Sequence, residues 1–352
     1  MAVISPARKA AFEALRRVLG GGLSDLSLME TCVGLEPRDA ALAHQITYGV
    51  LRHQKQLEFL AKHFSGRKIL VLDGTTAILL YMGLYQMRYL AKVPPHAAVM
   101  ESVELAKRLK KRSSAGLINA VLRKVHKKPL AWPDEATELS MPDWLLAKWK
   151  AAFGQEVARA AALAALQPPP RKGMDEGAES VIPLLELKSG QRMLDLCAAP
   201  GNKTRQAIAE GVNVIACDRS PRRLEGMIDI GVPLVLLDAA RQLPFRPVFD
   251  RILADVPCSG TGTLGRNPEI KWRLTPEDLE RHQKRQIEIL RQARALLQPG
   301  ARLVYSTCSL EKEENEDVIR AVCGDAEIPM MRRFPGRDPG DGFFAATISS
   351  TL

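Results

Sequence analysis

The chain of 352 residues is long enough for two domains, and its 46% hydrophobic and 26% charged residues exclude wholesale disorder and a collagen-like or disulfide-dense scaffold. The net charge of +10 is uneven: residues 1–128 hold 21 Lys and Arg against 9 Asp and Glu, whereas residues 129–352 hold 29 against 31. A basic N-terminal third suits a polyanion, nucleic acid being the commonest, although a lysine-rich solvated face gives the same count. Six cysteines, Cys32, Cys197, Cys217, Cys258, Cys308 and Cys323, stand too far apart for any C-x-x-C pair, so no metal site is expected and the thiols read as reduced and intracellular. The N-terminus carries Arg, Lys and Glu13 but no apolar segment, which implies an amphipathic helix and a cytoplasmic address rather than a signal peptide.

In chain order, apolar residues at three and four spacing (Ala10, Ala11, Ala14, Leu15, Val18) predict a first helix, stopped by Gly20-Gly21-Gly22. Further helices are expected over 37–63, 73–89, 95–111 and 114–126. The apolar run 69–87 is interrupted by Asp73, Gly74 and Gly83 and predicts a buried helix rather than a membrane span. Pro129, Pro133 and Pro142 mark a linker, an Ala-rich helix follows over 144–167, and Pro168-Pro169-Pro170 closes it. The rhythm then changes to short apolar strands alternating with helices, as in a parallel sheet with crossover helices. Strands are expected over 192–197, 213–217, 233–237, 250–255, 301–307 and 342–348, and helices over 203–210, 221–230 and 275–297. The expected architecture is an all-helical domain (1–130), a linker and helix (131–172) and a Rossmann-like α/β domain (173–352).

Three strand ends carry candidate ligands. The first runs into Cys197-Ala198-Ala199-Pro200-Gly201-Asn202-Lys203, small residues that let a ligand approach backbone amides at the start of the next helix. It lacks both the three-glycine dinucleotide fingerprint and the P-loop pattern. Asp218, at the end of the second strand, is placed to accept ribose hydroxyls, and Asp238, after the third, to bond an adenine edge. An adenosine pocket without a phosphate cradle points to S-adenosylmethionine. The fourth strand ends in Asp255-Val-Pro257-Cys258-Ser259-Gly260-Thr261-Gly262 and the fifth in Ser306-Thr307-Cys308-Ser309, so two cysteines sit where open α/β sheets bind ligands. Cys32 and Cys323 read as structural.

Residues 195–204, 255–262 with Asn267-Pro268-Glu269-Ile270-Lys271-Trp272, and 305–310 together resemble the RNA cytosine-5 methyltransferases of the Nop2/Sun family. The basic helical region resembles the NusB-like RNA-binding domain of the ribosomal small-subunit methyltransferase B branch. The resemblance implies an S-adenosylmethionine-dependent RNA cytosine C5-methyltransferase, with 16S ribosomal RNA as its expected substrate. It assigns Cys308 as the thiolate that attacks cytosine carbon 6, Cys258 as the residue assisting release, Asp255 as the group holding the base near N3, and Lys203 as a pocket residue. Cofactor contacts carry over to 197–203, Asp218, Asp238 and Asp255. RNA contacts are expected from Lys107, Arg108, Lys110, Lys111, Arg112, Arg123, Lys124, Lys127 and Lys128, which cluster on two adjacent helical segments.

Two features depart from the family pattern. Asn202 stands where the turn usually has a second glycine. Only 22 residues, 171–192, separate the proline run from the first strand, where relatives carry a small RNA-contacting subdomain whose far edge Asp175-Glu176-Gly177 preserves. Other readings of the same residues are a DNA cytosine methyltransferase, with the Pro-Cys cysteine as nucleophile, and a non-catalytic RNA-binding assembly factor.

Overall fold

The computed structural model describes residues 4–67, 70–169 and 175–350; Ile69, Pro170 and residues 171–174 lie outside them. The chain divides into two compact units. One takes in the residues up to Gln167 together with Asn267–Arg273, and the other comprises Pro168–Arg266 and Leu274–Leu352.

The first unit contains α1 (Pro6–Leu19), α2 (Ser24–Thr31), α3 (Pro37–Arg52), α4 (Gln54–Ser65), α5 (Gly74–Tyr89), α6 (Pro95–Arg108), α7 (Arg112–Leu122), α8 (Glu135–Glu138), α9 (Asp143–Phe153) and α10 (Gln155–Ala164). Prolines open α1, α3 and α6, where their fixed φ suits the first turn and no donor is missed. Asp73 caps α5 by accepting from the Thr76 amide and hydroxyl, the latter at 2.6 Å. α5 is apolar on all sides because α1, α3, α4, α6 and α7 surround it, which accounts for the membrane-like run in the sequence. Among the described residues no helix is long and apolar enough to cross a membrane. Gly49 lets α3 approach α5: a Cβ there would stand 1.9 Å from the Tyr85 ring. Arg8 is buried but satisfied, donating to Glu101 at 2.8 Å and Gln86 at 2.7 Å.

The second unit is a seven-stranded sheet of β1 (Arg192–Asp195), β2 (Asn213–Asp218), β3 (Leu234–Leu236), β4 (Arg251–Asp255), β5 (Arg302–Thr307), β6 (Met330–Arg333) and β7 (Phe343–Ser349), in the order β3-β2-β1-β4-β5-β7-β6. β1 to β5 run parallel, while β7 is antiparallel to β5 and β6 to β7. α11 (Glu176–Glu179) precedes the sheet, α12 (Asn202–Ala209) and α13 (Pro221–Glu225) connect its first strands, α14 (Ile270–Arg273) follows β4 in the chain, and α15 (Pro276–Arg294) and α16 (Glu316–Cys323) flank β5. Apolar residues cover both faces, with Leu194, Ile252 and Leu303 in one cluster and Met193, Leu253 and Val304 in the other. The chain reverses between β1 and β4, the position at which doubly wound sheets open a crevice at their carboxyl ends.

The structure departs from the sequence expectations where a local break outweighs a continuous apolar pattern. The helix expected over 37–63 divides at His53, whose ring stacks on Tyr89 at 4.3 Å. The one expected over 144–167 divides at Gly154, where φ is 84° and ψ is 164°. The helix over 221–230 shortens to α13, and the strand over 233–237 to Leu234–Leu236. α2, α16 and β6 were not expected; β6 has no β-branched residue and forms by pairing with β7.

Segment Asn267–Arg273 is part of the helical unit. Glu269 accepts from the amide and hydroxyl of Ser24, at 3.3 and 2.9 Å, and so serves the N-terminus of α2. Lys271 donates to the carbonyls of Arg52 and Ser140 at 2.8 and 2.7 Å, and the Trp272 indole donates to Leu51 O at 2.6 Å. Lys271 is buried, and burial together with the neighbouring Arg52 charge pushes its amine down to about 7 from an ordinary 10.5. The ammonium is therefore disfavoured in the folded state relative to the unfolded chain. Its stabilising contribution is least below about pH 7 and grows as pH rises from about 7 toward 10.5. Thermal unfolding should show a gain in stability between about pH 6.5 and 9 that is smaller in Lys271→Met; equal gains in the two proteins would refute this assignment.

Candidate active site

The turn after β1 is small because it is packed on one side and open on the other. Ala198 and Ala199 lie buried against Ala216, Leu224 and Met227, and the Ala198 amide donates to Cys217 O at 2.8 Å. Gly201 has φ 94°, a backbone conformation strained for any side chain, and a Cβ there would stand 2.3 Å from Ile230 Cδ1, which would have to move. Asn202 is the first residue of α12, exposed and without positive φ; its replacement of a glycine leaves the backbone of the turn intact.

A cavity of about 210 Å³ opens at the carboxyl ends of the strands. It brings together Cys197, Ala199, Asp218, Asp255, Cys258 and Cys308, with an apolar wall of Leu237, Ala239 and Ile289. A second cavity of about 70 Å³ is bounded by Asp195, the turn at 197–200, Asn202, Lys203 and Asp255. Asp218 ties the end of β2 to the turn, accepting from the amides of Ser220 and Ala199 at 2.9 and 3.3 Å and from Arg223 at 3.3 Å. Asp238, expected at an adenine edge, is half-buried between Leu237 and Ala239, which line the cavity. It accepts from Arg285 of α15 at 2.5 Å and from the Ala240 amide at 3.0 Å. Burial alone would raise this carboxyl, but those two donors hold it below its ordinary range.

Asp255 has both oxygens occupied: Lys203 Nζ donates to one and Ser306 Oγ to the other, each at 2.7 Å. Burial by itself would lower the Lys203 ammonium, yet Asp255 outweighs it and Cys308 adds to the effect, so the amine titrates above its ordinary value. The Sγ atoms of Cys258 and Cys308 stand 3.4 Å apart. The hydrogen bond with Cys308, burial, and the charges of Cys308 and Glu314 all push the Cys258 thiol up, so it keeps its proton. Burial likewise raises Cys197.

Sequence reasoning passed over several groups here. Asp195 is fully buried, and desolvation lifts its carboxyl to about 7 despite a 2.8 Å hydrogen bond from Thr204 Oγ1. Its Oδ1 has no hydrogen-bond partner. Arg285 and Glu314 were also missed, since nothing local to α15 or to the acidic run 311–316 marks them. The nine basic residues expected to meet RNA belong to the helical unit, around the end of α6 and both ends of α7. All are exposed except Lys111, which is half-buried and pairs with Asp73 at 3.0 Å.

A doubly wound sheet whose first strand opens into a glycine-hinged, alanine-lined turn, with an unpartnered buried carboxylate oxygen beside it and an apolar wall opposite, fits S-adenosylmethionine; the class is that of the S-adenosylmethionine-dependent methyltransferases. Residues 182–349 match the family model of the 16S rRNA methyltransferases RsmB/F, and residues 5–127 match the NusB family. The ribosomal RNA small subunit methyltransferase B of Klebsiella pneumoniae subsp. pneumoniae is 32% identical over 391 residues, covering 88% of this chain and 90% of that one. That of Salmonella typhi is 30% identical over 389 residues, with 88% and 90% covered. The crystal structure of PH0851, at 21% identity, superposes with a TM-score of 0.77 over 99% of each chain and shares the fold. The chain belongs to the ribosomal RNA small subunit methyltransferase B family.

Asp218→Ala is expected to weaken S-adenosylhomocysteine binding by about 1.5–3 kcal/mol, the range for hydrogen bonds involving a charged group, and Asp218→Asn by less. Calorimetry checks both. Unchanged affinity in a folded Asp218→Ala protein would remove this residue from the cofactor site.

Proposed function

We propose that this methyltransferase acts on carbon 5 of a cytosine in 16S ribosomal RNA, through a covalent adduct on Cys308. The observation that carries the reading is the pair of thiols 3.4 Å apart at the ends of β4 and β5, beside the Asp255 carboxylate. The substrate class comes from the relatives, which are ribosomal RNA small subunit methyltransferases. A cytoplasmic setting belongs to the same reading and agrees with six free thiols.

Carbon 5 of cytosine is a poor nucleophile until a thiolate adds to carbon 6. In this scheme Cys308 supplies that thiolate, forming the C6–S bond and moving the C5–C6 electron pair to carbon 5. S-adenosylmethionine supplies an electrophilic methyl group on its sulfonium when bound against the turn at 197–203, Asp218 and Asp255. A base then removes the carbon 5 proton, the double bond re-forms, and the Cys308 thiolate leaves. Asp255, fixed by Lys203 and Ser306, is assigned to the N3 edge of the base, and Lys203 is assigned to the pocket beside it. Cys258, holding its proton, is assigned to the release step. Asp238, paired with the cavity-lining Arg285, is assigned to the adenine edge of the cofactor in this scheme.

The test uses RNA bearing 5-fluorocytosine, whose fluorine cannot leave as a proton does, so the adduct persists. Cys308→Ala should abolish both turnover and the denaturation-resistant complex. Cys258→Ala should lose turnover yet retain or accumulate the complex. The opposite pattern would mark Cys258 as the nucleophile, as in the DNA-type mechanism, and no complex with either wild type or variant would sink the covalent reading.

RNA affinity is assigned largely to the basic stretch of the helical unit, whose exposed cations can follow a phosphate track. Changing Lys110, Lys111 and Arg112 together to Ala should flatten the dependence of log affinity on log salt by about 1.5–2.5 units, at about 0.7–0.9 per lost phosphate contact. Lys111 should contribute least, because Asp73 already pairs with it. An unchanged slope would make the stretch a solvated face.

A further inference from the structure

Glu314 is fully buried at the end of a short 3₁₀ turn, Lys312–Glu314, and no cation pairs with it among the contacts described. A carboxylate in such a place is costly unless hydrogen bonds replace its hydration. Here they come from the two cysteine loops. Oε1 accepts from the Ser259 amide at 2.8 Å and from Gln286 Nε2 at 3.0 Å, and Oε2 accepts from the hydroxyls of Ser259 and Ser309. Ser259 and Ser309 each directly follow one of the cysteines. Gln286 of α15 also donates to Pro257 O at 3.0 Å, one residue before Cys258. Two further bonds join the loops, from the Gly262 amide to Cys308 O at 2.9 Å and from the Leu310 amide to Thr261 Oγ1 at 3.0 Å.

We propose that Glu314 is a positioning residue for the methyl transfer: its carboxylate clamps both cysteine loops and thereby fixes the distance between the Cys258 and Cys308 thiols. The proposal deepens the covalent reading, on which its link to turnover rests. The spacing itself is measurable without RNA. The carboxylate suits the task because two oxygens can receive four donors from three chain segments, which neither a serine nor an amide can do. Its charge also helps to keep the proton on Cys258, after the contributions of Cys308 and of burial.

Phenylarsine oxide reports the spacing: its arsenic(III) joins two neighbouring thiols, forming two As–S bonds and releasing one water. The wild type should be bridged between Cys258 and Cys308, and Cys258→Ser should not. Glu314→Ala should slow bridging by at least about tenfold and lower kcat by about 100-fold, as expected for a displaced reacting group. The RNA KM, the affinity for S-adenosylhomocysteine and the rate at which N-ethylmaleimide labels Cys308 should each stay within about threefold, and Glu314→Gln should lie between the two proteins in bridging and kcat. Bridging at the wild-type rate in Glu314→Ala, or slowed bridging with unchanged kcat, would overturn the proposal. Should Glu314→Ala fail to fold, the double variant Ser259→Ala with Ser309→Ala removes the hydroxyl tethers while the carboxylate keeps its amide and Gln286 donors; wild-type bridging there overturns the proposal equally. Slowed bridging in a protein that forms no 5-fluorocytosine adduct would instead leave the clamp standing and remove the covalent reading.

Discussion

The parallel pairing of β4 with β5 is the constraint on which the site depends. The two strands run side by side with Asp255 opposite Ser306, so their carboxyl ends finish at one level. Cys258 follows Asp255 by three residues and Cys308 follows Ser306 by two, and the register alone brings both thiols to the same edge of the sheet. The same register lets Ser306 donate to Asp255 across the pair at 2.7 Å. A slip of one residue would turn Ser306 to the opposite face and leave that carboxylate oxygen without its donor. The antiparallel β7 then closes the far side of β5, so the strand that carries Ser306 and leads into Cys308 is held on both edges. Such a strand has little freedom to fray, and the Cys308 loop that follows it inherits that rigidity.

Much of this was legible in the sequence because the determinants are local. A short apolar run followed by small residues or by Asp is enough to mark a strand end, and the β1, β2, β4 and β5 termini were found that way. Asp238 shows where locality fails. It stands after β3 as expected, but its side chain is paired with Arg285, a cavity-lining cation forty-seven residues away on α15 that nothing nearby in the sequence marks. Arg285 and Glu314 were invisible for the same reason, since one lies on a long charged helix and the other in an acidic run that looks solvated. Helix boundaries failed differently. Gly154 and His53 interrupt patterns whose apolar periodicity continues on either side, so the break is visible only in the backbone.

Surface charges and buried charges are handled differently. The cations around α6 and α7 lie mostly at the surface, where a charge is inexpensive to hold, and Lys111 is paired there with Asp73. At the site in the catalytic unit, buried ionisable groups are matched individually, Lys203 to Asp255 and Glu314 to four donors. Asp195 is the exception. Its oxygen without a partner is the kind of unmet demand that a bound molecule satisfies, and it stands beside the turn where the cofactor is assigned.

The membership of Asn267–Arg273 in the helical unit bears on how the chain folds as it is made. The N-terminal helices emerge from the ribosome first, but α2 lacks its Glu269 partner, and the carbonyls of Leu51, Arg52 and Ser140 lack their donors, until a segment about 100 residues beyond Gln167 has been synthesised. At about 5–20 residues per second that interval lasts roughly 5–20 s, long compared with helix formation. The helical unit is therefore complete only after β1 to β4 already exist as polypeptide. Its last buried contacts form when synthesis has passed the middle of the catalytic sequence, which couples the maturation of one half of the protein to the production of the other.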